Sequence, residues 1–172
     1  MNTQNLSEEL PKLPTATVYT FRNIQPVNSI KEALERGGFF GDTRAYDPFF
    51  VGGMITFPPC TRPKDVSLLC LNWTTEELDV IPRLREHGKR PCDNAPNYFL
   101  GLMAAFSETR MPPQFKGKDI VAMGTSALSV FRYKNGAPCN ISACRSGTGR
   151  VLNFVRAHGT FGPNWALVVE DL

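Results

Sequence analysis

A chain of 172 residues, 42% hydrophobic and 20% charged, carries enough apolar side chain for one cooperative core, and global disorder is excluded. The formal charge of +3 is unevenly placed: residues 110–158 hold eight basic side chains against Asp119 alone, whereas residues 1–82 hold ten acids against seven bases. The asymmetry points to an anionic partner or a complementary neighbouring subunit, and no run approaches the ~18 apolar residues a membrane helix needs.

Residues 1–14 are polar and broken by Pro11 and Pro14, which predicts an N-terminal arm before a single domain over 15–172. Alternation through Val18, Tyr19, Thr20 and Phe21 predicts a first strand over 15–23. Ser29 followed by Glu32 forms a capping-box signature, and Ile30, Ala33 and Leu34 continue it as a short helix that Gly37 and Gly38 end. Residues 39–63 are rich in Phe, Gly and Pro without period, a long irregular segment of the kind that serves function or an interface. Val66, Leu68, Leu69, Cys70 and Leu71 make a nearly continuous apolar run, the mark of a strand buried on both faces.

Thr74 with Glu77 predicts a second capped helix, which Pro82 kinks or restarts and Gly88 closes. Asn94 then caps a longer helix to about residue 110, with Tyr98, Phe99, Leu102, Met103 and Phe106 on its core face. Beyond Met111-Pro112-Pro113 the period changes to two. Strands are expected over 120–123, 127–133, 137–145, 151–157 and 165–170, with Lys134-Asn135-Gly136 as a hairpin turn. The expected class is α+β, an antiparallel β meander in the C-terminal third with two to three short helices packed on one face.

Five cysteines, an odd number in a chain large enough to need no staples, predict free thiols in a reducing compartment. The first fourteen residues carry Glu8 and Glu9 and no apolar block of signal type, so a cytoplasmic location is expected.

Three constellations have chemical content. Residues 144–150, Cys-Arg-Ser-Gly-Thr-Gly-Arg, resemble the phosphate-binding loop of cysteine-dependent phosphatases, a Cys, five residues and an Arg. The resemblance implies Cys144 as nucleophile, Arg150 as phosphate binder and Asp119 as general acid. The competing reading of the same glycines is a hairpin turn. Second, His87 with Cys92 and Cys139 with Cys144 form two equally spaced pairs, a candidate zinc set, against which stands the ordinary burial of thiols. Third, Arg132, Lys134, Arg145, Arg150 and Arg156 offer a basic β surface, with Phe131 and Tyr133 available to stack bases if exposed and to fill the core if not.

No P-loop, dinucleotide fingerprint, G-x-S-x-G or H-E-x-x-H motif is present, and no cofactor is expected. The leading expectation is a non-enzymatic macromolecule-binding or assembly protein, a subunit of a larger particle or a small effector. It would engage a protein partner or a second copy through the basic meander and the aromatic loop carrying Phe49 and Phe50. The alternatives are a nucleic-acid-binding protein and the phosphatase-like enzyme.

Overall fold

The strands Lys64–Cys70 and Trp165–Asp171 lie side by side at the centre of a sheet of seven described strands. The computed structural model describes residues 16–36, 57–109, 111–123, 139–146, 149–156 and 159–172, the side chains of 77–78, 107–109, 139, 145–146, 149, 154 and 156 excepted. In chain order the elements are β1 (Thr17–Ile24), α1 (Ile30–Arg36), β2 (Lys64–Cys70), β3 (Thr75–Glu76), α2 (Glu77–Glu86), β4 (Lys89–Pro91) and α3 (Ala95–Thr109). A 3-10 turn (Pro113–Phe115) precedes β5 (Asp119–Ala122), β6 (Cys139–Ser146), β7 (Gly149–Arg156), β8 (Thr160–Phe161) and β9 (Trp165–Asp171).

The sheet order is β1-β2-β9-β5-β6-β7, with β4 also on β9, while β3 and β8 form a separate two-stranded ribbon. All neighbours are antiparallel except β5 and β9, which are parallel with Ile120 opposite Ala166. The α+β class is as the sequence predicts, and β5, β6 and β7 are consecutive antiparallel arms. The meander does not end at β9 as expected. That strand leaves β7 and returns between β2 and β5, which extends the sheet from four or five strands to seven.

Both faces of this sheet are covered. On one, Val66, Leu68, Ile120, Ile141, Ala166 and Val168 pack with residues of α1 and α3. On the other, Leu69, Val121, Leu167 and Val169 pack with Val80 and Leu84 of α2 and with Phe161 of β8. The expectation of helices on one face holds for α1 and α3, and α2 is its exception. A central strand covered on both faces buries successive residues for this reason, as β2 does over 66–70 and β9 over 166–170.

The local signals are mostly realised. Ser29 Oγ accepts from the Glu32 amide at 3.0 Å, and the Glu32 carboxylate accepts from the amide of Asn28, one residue before the cap. The Thr74 box does not form. Thr75 and Glu76 pair with β8 instead, and α2 starts without a side-chain cap and runs through Pro82. Gly88, at φ +66°, closes α2, its amide donating to Arg85 O. The apolar stripe on α3 is wider than one face: residues 95–104 are all buried, because this helix lies between the sheet and α1. Gly101 faces the chain leaving β1, and a Cβ there would stand 2.0 Å from Gln25 O.

Among the described residues no helix is long and apolar enough to cross a membrane. The predicted turn at Lys134-Asn135-Gly136, the strand over 127–133 and the N-terminal arm lie outside the described residues.

Candidate functional site

Among the described residues, those flanking the predicted phosphate loop lie on a hairpin and not between a strand and a helix. A thiolate and phosphate site of that kind needs a strand, a loop of convergent amides and a helix behind it. Here Cys144 and Arg150 lie on adjacent antiparallel arms, Cys144 opposite Val151 and Arg150 opposite Arg145. Arg150 is only 4% exposed. Its Nη1 donates to Ala143 O at 3.2 Å, its Nη2 donates to Phe115 O, and its Nε points at Met111 Sδ at 3.1 Å. The guanidinium therefore joins the hairpin to the 3-10 turn. Burial and these backbone bonds tie Arg150 into the fold.

The Cys144 thiol fits the same conclusion. Its Sγ lies 3.5 Å from Ser142 Oγ and 3.6 Å from Asn153 Nδ2, yet burial, with the charge of Asp119, pushes its pKa up. A phosphatase cysteine needs the opposite shift. Asp119 begins β5 opposite Trp165, its amide donating to Asn164 O.

The candidate zinc ligands are also dispersed. His87 stacks on Trp73 with ring centroids 6.2 Å apart, Cys92 donates to Asp93 O at 3.5 Å, and Cys144 lies in the distant hairpin. The Cys139 side chain is outside the described part, and among the described residues no three His, Cys, Asp or Glu side chains converge. Phe49, Phe50, Arg132 and Lys134 lie outside the described residues. Arg145 and Arg156 take positions on β6 and β7, the latter opposite Cys139.

Two features that no local motif announced are brought together by the fold. The first is a polar cluster where β2, β4 and β9 meet. Glu170, 9% exposed, pairs with Lys64, while Arg90 Nη2 stands 2.8 Å from its other oxygen without hydrogen-bond alignment and 3.0 Å from Asp93 Oδ2. Lys64 Nζ also donates to Asp93 O at 2.9 Å and sits 4.3 Å from the Tyr98 ring centroid. The Tyr98 hydroxyl donates to Arg62 O at 2.6 Å and accepts from Cys60 Sγ at 2.9 Å.

Burial pushes Cys92 up to about 12, outweighing the nearby Lys64 ammonium. Burial alone would lower Lys64, but its bond to Glu170 carries it above its ordinary value. Tyr98 is raised by burial and then by its bond to Cys60. Every one of these shifts favours the protonated form, so at neutral pH Cys92 and Tyr98 keep their protons and Lys64 its charge, as suits a structural clamp. Lys64 and Glu170 are 106 positions apart. The available signal in the sequence was a charge placed at the end of each apolar strand.

The second feature is the outer edge of β1. This eight-residue strand pairs with β2 on one side, and no described strand lies on the other. Thr17, Val18, Thr20, Arg22 and Asn23 are exposed, Val18 to 36%. A register shift between Phe21 and Ile24 is the only irregularity in its pairing.

The chain matches no protein-family model, and comparison with curated proteins and with solved structures finds no match either.

Proposed function

We propose that the chain is a non-enzymatic assembly protein that extends its sheet through β1 by pairing with a strand of another chain, in the first instance a second copy of itself. The observation that carries this reading is the long β1 edge, which no described strand covers and which would offer its outer N–H and C=O groups to one more strand. Both faces of the sheet are packed, so among the described residues its edges are where further backbone pairing can be added. The β1 sequence is compatible with itself. Antiparallel pairing about a two-fold axis at Thr20 sets Val18 opposite Arg22 of the second copy and brings no like charges face to face.

Sedimentation equilibrium of the wild type and of Val18→Lys/Thr20→Lys tests it, since lysines on an edge strand oppose pairing. The wild-type mass is expected to rise toward twice the monomer with concentration, and the double variant to stay monomeric with an unchanged circular dichroism spectrum. A wild type that remains monomeric at every accessible concentration would overturn self-pairing.

Nucleic acid is the second reading, favoured by the basic excess of residues 110–158. Burial of Arg150 withdraws one of those charges from any such surface. The reading requires oligonucleotide affinity that falls steeply with salt.

A further inference from the structure

The described end of the Phe- and Pro-rich segment, residues 57–63, lies outside any helix or strand and leads directly into β2, with prolines at 58, 59 and 63. Each proline holds its own φ near about −65° and steers the residue before it to extended or polyproline backbone. Phe57, Pro58 and Arg62 are therefore biased to that region, and Pro59 and Pro63 carry the matching φ. Burial then repeats in threes. Phe57 is buried and Cys60 half-buried, whereas Pro58, Pro59, Thr61 and Arg62 are exposed, and Pro63, also exposed, marks where the period ends at β2. Three residues per turn is the period of a polyproline II helix, while an extended strand would alternate in twos. With every third side chain turned inward, two outer ridges remain, Pro58 with Thr61 and Pro59 with Arg62.

The inner side is fastened to the core. Asn97 Nδ2 donates to Pro58 O at 3.1 Å, the Cys60 amide donates to Asn28 Oδ1 at 2.8 Å, and the Tyr98 hydroxyl donates to Arg62 O at 2.6 Å. Asn97 and Tyr98 are buried residues of α3, and Asn28 precedes α1. These bonds use only backbone groups of Pro58 and Arg62 and leave both residues exposed. The strip is thus set by the fold, and a partner would bind it without the ordering cost that a free proline-rich peptide carries.

Pyrrolidine rings on a three-residue repeat fit a groove lined by aromatic side chains, the way in which SH3-type domains take polyproline ligands. Arg62, one turn from Pro59, adds a cation that calls for acid beside the groove. We infer that residues 58–62 are a preformed polyproline ligand for a partner domain of SH3 type with an acidic border to its groove.

An array of purified SH3 domains, probed with the full chain, tests the assignment. At least one acidic-bordered domain is expected to bind saturably in the micromolar range, as suits a small transient interface, and to shift the amides of Cys60, Thr61 and Arg62 in chemical-shift mapping. Arg62→Glu, which reverses the charge but keeps the carbonyl that Tyr98 holds, is expected to weaken binding about tenfold or more. Pro59→Ala, which frees φ, is expected to weaken it at least about twofold to fivefold. Both changes fall at exposed positions, unchanged circular dichroism checks that each variant folds, and the wild-type map decides independently of both. No saturable binder in the array, shifts centred away from 57–63, equal binding after the groove aromatics of the bound domain are changed to Ala, or affinity indifferent to Arg62→Glu overturns the inference.

Discussion

Arg150 illustrates how one side chain reads differently from sequence and from structure. Seven residues with a Cys at one end and an Arg at the other suit a phosphate loop or a tight hairpin equally well. The difference lies in what the Arg meets, and those partners, Phe115 O and Met111 Sδ, are 35 and 39 positions away. Replacing Arg150 with Met keeps much of the volume and leaves Ala143 O and Phe115 O without their donors, a loss of about 2–4 kcal/mol. A lowered urea midpoint is the expected result, and unchanged stability would show that the guanidinium is dispensable to the fold. Gly101 offers a cleaner case. A Cβ there meets a backbone carbonyl at 2.0 Å, which no rotamer can relieve, whereas a Cβ at Gly117 meets nothing within 4 Å. Gly101→Ala is therefore expected to cost about 3 kcal/mol and Gly117→Ala almost nothing, as thermal unfolding of the pair will measure.

At the scale of elements, the cluster joining β2, β4, β9 and α3 imposes a pH dependence whose sign follows from its three raised pKa values. Cys92 loses its proton near 12 in the folded protein, against an ordinary value of 9.0. As pH rises through 9 the unfolded chain gives up that proton first, so stabilisation that is complete below pH 9 drains away on the approach to 12. Lys64, raised from 10.5, acts in the same sense, the stabilisation from its pairing with Glu170 being complete below 10.5 and lost as pH rises through its higher folded-state value. Tyr98 adds to the trend. Denaturant midpoints are expected to hold from neutrality to about pH 9 and then fall, and Cys92→Ala is expected to flatten the first part of that fall. A wild-type midpoint that stays level across this range would mean the thiol is not held as the geometry implies. The elements themselves were legible where periodicity or caps spoke, as in β1, α1, β2 and α3. The Thr74 box was not, because pairing of Thr75 and Glu76 with Phe161 and Thr160 competes with the helix for the same residues.

At the scale of the molecule, the course of β9 decides the architecture, and the relevant signal was present but outweighed. Ala166, Leu167, Val168 and Val169 are all fully buried, a pattern that only a strand covered on both faces can satisfy. Proximity in the chain suggested an edge position at the end of the meander instead. With β9 in the centre, β1 is the outermost described strand on its side, so the candidate interface follows from a topology that no local motif specifies. Hydrogen exchange should resolve the two ends of this ranking within one sheet. Amides of β2 and β9, flanked by strands on both sides, are expected to exchange only through global unfolding, and those on the outer side of β1 through local fraying. If β1 pairs with a second copy, its protection rises with protein concentration while that of β2 and β9 does not change. Protection of β1 that is independent of concentration, in a sheet whose centre behaves as expected, would leave the fold intact and remove the edge as the site of assembly.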